Sequence, residues 1–166
     1  MAAREDREQY LNSVEIDESQ IRVRSLLVNL EKLQAVKDLH HDTYFNPDND
    51  KNGPYDVAIK LFDEKMVLEI TDKSGQELEP VSFALKPYRR LIQDYFLIVE
   101  SYEKARLEGN TSRLEAIDMG RRGIHNEGAE LLQARLSSRL VMNKSTSRRL
   151  FTLVCILCAG RNRLWF

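Results

Sequence analysis

The sequence predicts an α+β domain. A small antiparallel sheet of three or four strands carries an N-terminal helix and three C-terminal helices packed on it. Three observations carry this expectation. Apolar residues alternate with polar ones from Tyr55, the period of a half-buried strand. From Leu91 they recur at three- and four-residue steps, the period of a helix. Most strands also precede most helices, an order that separates α+β from alternating α/β chains. At 166 residues, one domain over 1–166 is expected, with 1–13 and 161–166 as tails.

In chain order, Val14 to Asp17 reads as a short strand. Ser19 or Asp17 then caps a helix running to about Phe45, because Leu26, Leu27, Leu30, Leu33, Val36 and Leu39 keep helical spacing. "NPDNDKNGP" (Asn46 to Pro54) is a loop by every local signal. Tyr55 to Phe62, Lys65 to Thr71 and Val81 to Leu85 form an antiparallel meander. Pro87 suits the first turn of a helix through Tyr102, which Gly109-Asn110 ends. Thr111 or Ser112 caps the next helix, which runs to about Met142. "NKSTS" breaks it, and Ser145 or Thr146 caps the last helix through "RRLFTLVCILCA".

Hydrophobic content of 42% and charged content of 31% are those of an ordinary globular chain. The first residues contain no apolar leader. The longest apolar run, Leu150 to Ala159, reaches about half the roughly 20 residues of a membrane span. A cytoplasmic protein with two reduced cysteines and no membrane contact is therefore expected. The net charge of −1 hides a polarity. Up to Leu85 there are 10 Lys+Arg against 18 Asp+Glu; from Lys86 onward there are 15 against 8, and 12 of those 15 are arginine. Arginine offers a planar fork for carboxylate or phosphate. Either the basic half binds an anion, or the two halves fold together and their charges cancel.

The stretch "EAIDMGRRGIHNEG" (Glu115 to Gly128) concentrates glycine and charge inside a helical pattern. Gly123 to Gly128 has the glycine gap of a phosphate loop but lacks its Lys-Ser/Thr, carrying Ala129 and Glu130 instead. "GRRG" (Gly120 to Gly123) has the form of an RNA-clamping GXXG loop, but more helix follows it where a strand should complete the sheet. Glycines in a helix interior cost about 1 kcal/mol each against alanine. Close helix packing explains them: Ala116, Gly120 and Gly123 share one face, and Gly128 lies on that of Ile117, Ile124 and Leu131. Packing does not explain Arg121, Arg122, His125, Asn126 and Glu127.

Two further arginine pairs, Arg89-Arg90 and Arg148-Arg149, begin predicted helices, where the helix dipole opposes cations and favours anions. Arg90 has Asp94 one turn on, as Arg122 has Asp118; for the last pair the closest acid in sequence is Glu130. If these pairs form an anion site, members of at least two must converge on one concavity. "DNDKNG" (Asp48 to Gly53) starts like a calcium loop, but Ile59 stands where the bidentate glutamate belongs. Cys155 and Cys158 lie on an apolar segment without a second ligand pair, so no metal site is expected.

"RRLIQDYFLIVESY" (Arg89 to Tyr102), "EAIDMGRRGIHNEGAELL" (Glu115 to Leu132) and "RRLFTLVCIL" (Arg148 to Leu157), with Gly53-Pro54-Tyr55 before them, resemble in that order the bacterial uncharacterised protein family 0262. The resemblance implies a cytoplasmic bacterial protein and brings no catalytic residues with it.

The reading that follows is a binding or interaction protein whose arginine-rich helical half takes an anionic small molecule or an acidic protein surface. The anion-binding candidates are Arg89, Arg90, Arg121, Arg122, Asn126, Arg148 and Arg149. One alternative is an enzyme on a phosphorylated or carboxylated small molecule, with His125 as acid or base and Glu127 as second candidate. Another, RNA binding through Gly120 to Gly123, fits the sequence less well. No cofactor signature is present, and self-association is compatible with the sequence.

Overall fold

The computed structural model describes residues 7–161. The first strand, β1 (Leu11–Ile16), starts earlier than Val14. The tail expected to reach residue 13 is thus corrected from Gln9 onward, because that side chain is buried and engaged. Its Nε2 donates to the Tyr55 hydroxyl and to the Asp50 carbonyl, both at 2.7 Å, and its Oε1 accepts from Gly53 N–H at 2.9 Å. Residues 1–6 and 162–166 lie outside the described residues.

The single helix expected up to Phe45 is several elements. Asp17 caps a 3-10 turn, Glu18–Gln20. Ser25 then caps α1 (Leu26–Ala35) by accepting from Val28 N–H. Asp38 sits in the left-handed region at φ 55°, which stops helix propagation; α2 (Leu39–Asp42) and β2 (Phe45–Pro47) follow. The phase of α1 also differs from the expected stripe. It buries Leu27, Val28, Glu31 and Ala35, and leaves Leu26, Leu30, Leu33 and Val36 exposed.

Strands β3 (Tyr55–Phe62), β4 (Lys65–Thr71) and β5 (Val81–Ala84) form the expected antiparallel meander. The sheet order is β1-β3-β4-β5. β1 pairs with β3 in parallel, Val14 opposite Val57 and Ile16 opposite Ile59, so the sheet is mixed rather than wholly antiparallel. A parallel neighbour needs a long crossover, and the segment carrying α1, α2 and β2 supplies it. The alternation along β3 puts Tyr55, Val57, Ile59 and Leu61 into the core.

A 3-10 turn, Lys86–Tyr88, holds Pro87 and leads into α3 (Arg89–Leu107). Gly109, at φ 66°, turns the chain, and Asn110 caps α4 (Thr111–Leu136) by accepting from Arg113 N–H. Then β6 (Leu140–Met142) pairs antiparallel with β2. Asn143 caps α5 (Lys144–Cys158), two or three residues before the expected caps. Every residue of α5 from Leu150 onward is buried, as a helix packed against α1, α3, α4 and β3 requires. Only its first turns reach the surface, and there the arginines sit.

Gly120 to Gly123 lies inside α4, not in a loop, so the geometry a GXXG clamp needs is absent. The close approach is at Gly128 rather than at Gly120 and Gly123. A Cβ on Gly128 would overlap the ring of Phe151, whereas one on Gly120 would sit 3.2 Å from Ile98 Cδ1 and one on Gly123 would meet nothing within 4 Å. Cys155 and Cys158 are free, buried thiols; burial pushes Cys158 up to about 12 and Cys155 well above its ordinary value. The acidic and basic halves join only in part. Arg121, Arg139 and Arg149 pair with Glu31, Asp48 and Asp42, while Arg90, Arg106 and Arg122 use acids of their own half. Among the described residues no helix is long and apolar enough to cross a membrane.

Candidate functional site

Four helices line a cleft of ≈ 620 Å³. α4 contributes Asp118, Arg121, Arg122 and His125, which share a face because they lie three and four residues apart. α5 contributes Ser145, Arg148, Arg149 and Thr152 for the same reason. α1 supplies Leu27, Leu30, Glu31, Gln34 and Ala35, and α3 adds Tyr102. Two of the three arginine pairs therefore converge on one concavity.

The third pair does not. Arg90 lies with Asp94, at 3.3 Å, and with Glu127. Arg89 and Glu127 are not on the cleft wall either. Asn126 stands behind the wall and accepts from Arg148 Nη1 at 3.0 Å.

At the base of the cleft is a buried ionic cluster. His125, 1% exposed, donates from Nε2 to Glu31 Oε2 at 2.6 Å. Arg121 Nη1 reaches the same oxygen at 3.2 Å, and its Nη2 and Nε hold Asp118 Oδ1 at 2.7 and 3.1 Å. Burial alone would push the Glu31 carboxyl up. The hydrogen bond and charge of His125, with the charge of Arg121, outweigh it, so Glu31 is held below its ordinary value. A carboxylate held ionised accepts, so Nε2 carries the proton of that bond. His125 Nδ1, Glu31 Oε1 and the Tyr95 hydroxyl are buried without a formed hydrogen bond. Burial, then the Glu31 charge, raises the Tyr95 phenol well above its ordinary value.

The four guanidinium groups differ in what holds them. For Arg121, the Asp118 and Glu31 contacts outweigh burial and raise its pKa. Arg122 lies at the rim, with Nε 3.0 Å from Asp118 Oδ2. Arg149 sits 3.2 Å from Asp42 and donates to the Lys37 carbonyl. Glu130, the closest acid in sequence to the last pair, pairs with Lys144 instead. Arg148, half-buried, takes part in no ion pair among the described residues; its hydrogen bond is to the neutral Asn126. Burial, then repulsion from Arg121 and Arg122, lowers its pKa. The cleft wall thus carries four guanidinium groups against two carboxylates, Glu31 and Asp118.

Sequence reasoning missed Glu31, Gln34 and Tyr102. Glu31 had a signal: it stands at the centre of the Leu27, Glu31, Ala35 spacing, a core position where an acid needs a partner. The carboxylates of "DNDKNG" are used within the fold. Asp48 pairs with Arg139 at 2.7 Å, and Asp50 accepts from the Tyr55 hydroxyl at 2.7 Å. Among the described residues no group of three or more His, Cys, Asp or Glu is placed to hold a metal ion.

Relatives match most of the chain in sequence. The chain is 41% identical over 148 residues to the UPF0262 protein of Xanthobacter autotrophicus, covering 89% of this chain and 90% of that one. It is 42% identical over 147 residues to the UPF0262 protein of Phenylobacterium zucineum, covering 89% and 91%. It is 43% identical over 148 residues to that of Brucella canis, covering 89% and 92%. No solved structure matches the chain. The model of the Uncharacterised protein family (UPF0262) matches residues 8–159, from the buried Gln9 segment to the end of α5, and the chain belongs to that family.

Proposed function

We propose that the cleft binds a small anion of the phosphate or carboxylate class. The observation that carries this reading is Arg148. It is a half-buried guanidinium on the cleft wall, among three others, with no carboxylate of its own. A scaffold has no use for an unpaired, repelled, half-buried cation, whereas a ligand does. The ≈ 620 Å³ volume is that of a small-molecule site.

Thermal shift with inorganic phosphate and small carboxylates, against chloride at matched ionic strength, tests the reading. A ligand that binds the native state raises its melting temperature. At least one of these anions is expected to do so, and Arg148→Gln to remove the rise. No rise with any of them would overturn the proposal. Denaturant melts add a separate check. Arg148→Gln is expected to change stability by less than about 0.5 kcal/mol, since it deletes no ion pair. Arg121→Gln is expected to lose on the order of 3 kcal/mol, because it leaves the buried Glu31 short of a partner. Equal losses would make Arg148 a structural residue.

A second reading rests on the Glu31–His125 pair. With Nε2 bonded to Glu31, the ring presents Nδ1 as the atom available for proton transfer. Nδ1 is buried, so it serves only a ligand that reaches past the arginines into the cleft floor. The His125→Gln variant would separate the readings: retained anion binding with lost turnover supports an enzyme.

A further inference from the structure

The anion cleft has two walls of unlike chemistry. The α4 and α5 side is cationic. The α1 side carries Leu27, Leu30 and Ala35 as an apolar strip beside Glu31 and Gln34, with Tyr102 of α3 next to it. Leu30 is 49% exposed, and it continues outward into Leu26 and Leu33, 44% and 62% exposed. These three leucines lie four and three residues apart and so form one ridge on α1, of which Leu30 is the member on the cleft wall. Single exposed apolar side chains are ordinary, but a contiguous row beside a cleft is a surface to be covered.

Resting on the anion reading, we infer that the natural ligand is a soluble amphiphile, a single phosphate or carboxylate on a short alkyl chain. Its head meets Arg148 and its chain lies along Leu30. Charge complementarity fixes the head: with Arg149 on Asp42, the cleft wall keeps three guanidinium groups against its two carboxylates, and Arg148 is the one without an acid. The leucine row fixes the chain: a hydrated inorganic anion would leave that wall facing water, whereas an alkyl chain removes it from water. A partner helix, about 10 Å across, fits a cleft of this volume poorly.

Calorimetry on the full chain with inorganic phosphate, hexyl phosphate and 1-hexanol tests this. Hexyl phosphate is expected to bind on the order of ten-fold more tightly than inorganic phosphate, the gain from burying about two methylenes. 1-Hexanol is expected not to bind. Leu30→Ser changes an exposed position, so the fold persists; it is expected to remove the ten-fold gain and leave phosphate binding intact. Arg148→Gln is expected to abolish both. Equal affinities for the two phosphates would overturn the amphiphile and leave the anion reading standing. Binding of neither would overturn the anion reading itself. Sedimentation with phosphatidylcholine–phosphatidylglycerol vesicles, without hexyl phosphate binding, would assign the ridge to a membrane surface and overturn the proposal. So would a concentration-dependent dimer that Leu30→Ser dissociates.

Discussion

Gly128→Ala is expected to destabilise the protein by about 2–3 kcal/mol, although alanine is the better helix former by about 1 kcal/mol. The added methyl group would fall within the ring of Phe151, which is fully buried on α5. That ring cannot swing away freely. Tyr88 and His125 lie against it, with centroids 6.1 and 6.3 Å distant. Either the ring leaves its position or α4 and α5 separate, and in a close-packed interior both cost stability. Gly123→Ala is the internal control. It is exposed on the same helix with nothing within 4 Å of its new methyl, so it should gain about 1 kcal/mol. Urea melts of the two variants decide the point. Equal behaviour would mean that the helix pair yields where the packing says it does not. Phe151 also touches His125, so Gly128→Ala should weaken phosphate binding as well, and Gly123→Ala should not.

The meander and the last three helices were legible because each advertises its period locally. β3 alternates strictly, and α5 from Leu150 to Cys158 is apolar all round but for Thr152. What was not legible depends on distant partners. β1 reads as a strand, but its parallel place beside β3 depends on a crossover that no local pattern announces. β2 and β6 are three residues each, and what makes them strands is each other. The residues of β2 carry loop signals, and those of β6 continue a helical pattern. On α1 the sequence offers two apolar stripes. Leu26, Leu30 and Leu33 look the stronger by hydrophobicity, yet the fold buries the one containing Glu31.

The arginine pairs show the same division. Their chemistry and helix-start positions were visible in sequence, and the convergence of two pairs could be posed as a condition. Which two would meet depends on how α4 crosses α5. Arg90 was readable, since Asp94 lies one turn away, but its second partner, Glu127, belongs to another helix. Arg149 finds Asp42 and Arg121 finds Glu31 across some ninety residues or more, contacts that only folding creates. Arg148 differs from its neighbour by one position, about 100° around the helix. That rotation is enough to deny it the acid that Arg149 reaches.

Glu31→Gln is expected to lose about 3 kcal/mol of stability at neutral pH while tightening phosphate binding. The amide keeps the shape of the side chain and an acceptor oxygen for His125 Nε2, so the change isolates the charge. Losing it strips Arg121 of one of its two acids and leaves a half-buried guanidinium with Asp118 alone, and breaking a buried pair from one side costs 3–5 kcal/mol. The sign of the pH dependence follows from the lowered Glu31 carboxyl. A group held below its ordinary value of 4.5 adds stability that is fully present above that value. That stability drains away as pH falls through the lower, folded-state value. The wild type should therefore lose stability on acidification more steeply than Glu31→Gln, and the two melting curves should converge at acidic pH. In the cleft the effect is opposite. Removing one of two carboxylates increases the excess of guanidinium charge, so phosphate should bind Glu31→Gln more tightly than wild type at low ionic strength. Lower stability with stronger binding is a combination that a damaged fold does not produce. A variant that melts early and binds phosphate no better would place Glu31 wholly in the scaffold and remove the link between the buried cluster and the anion site.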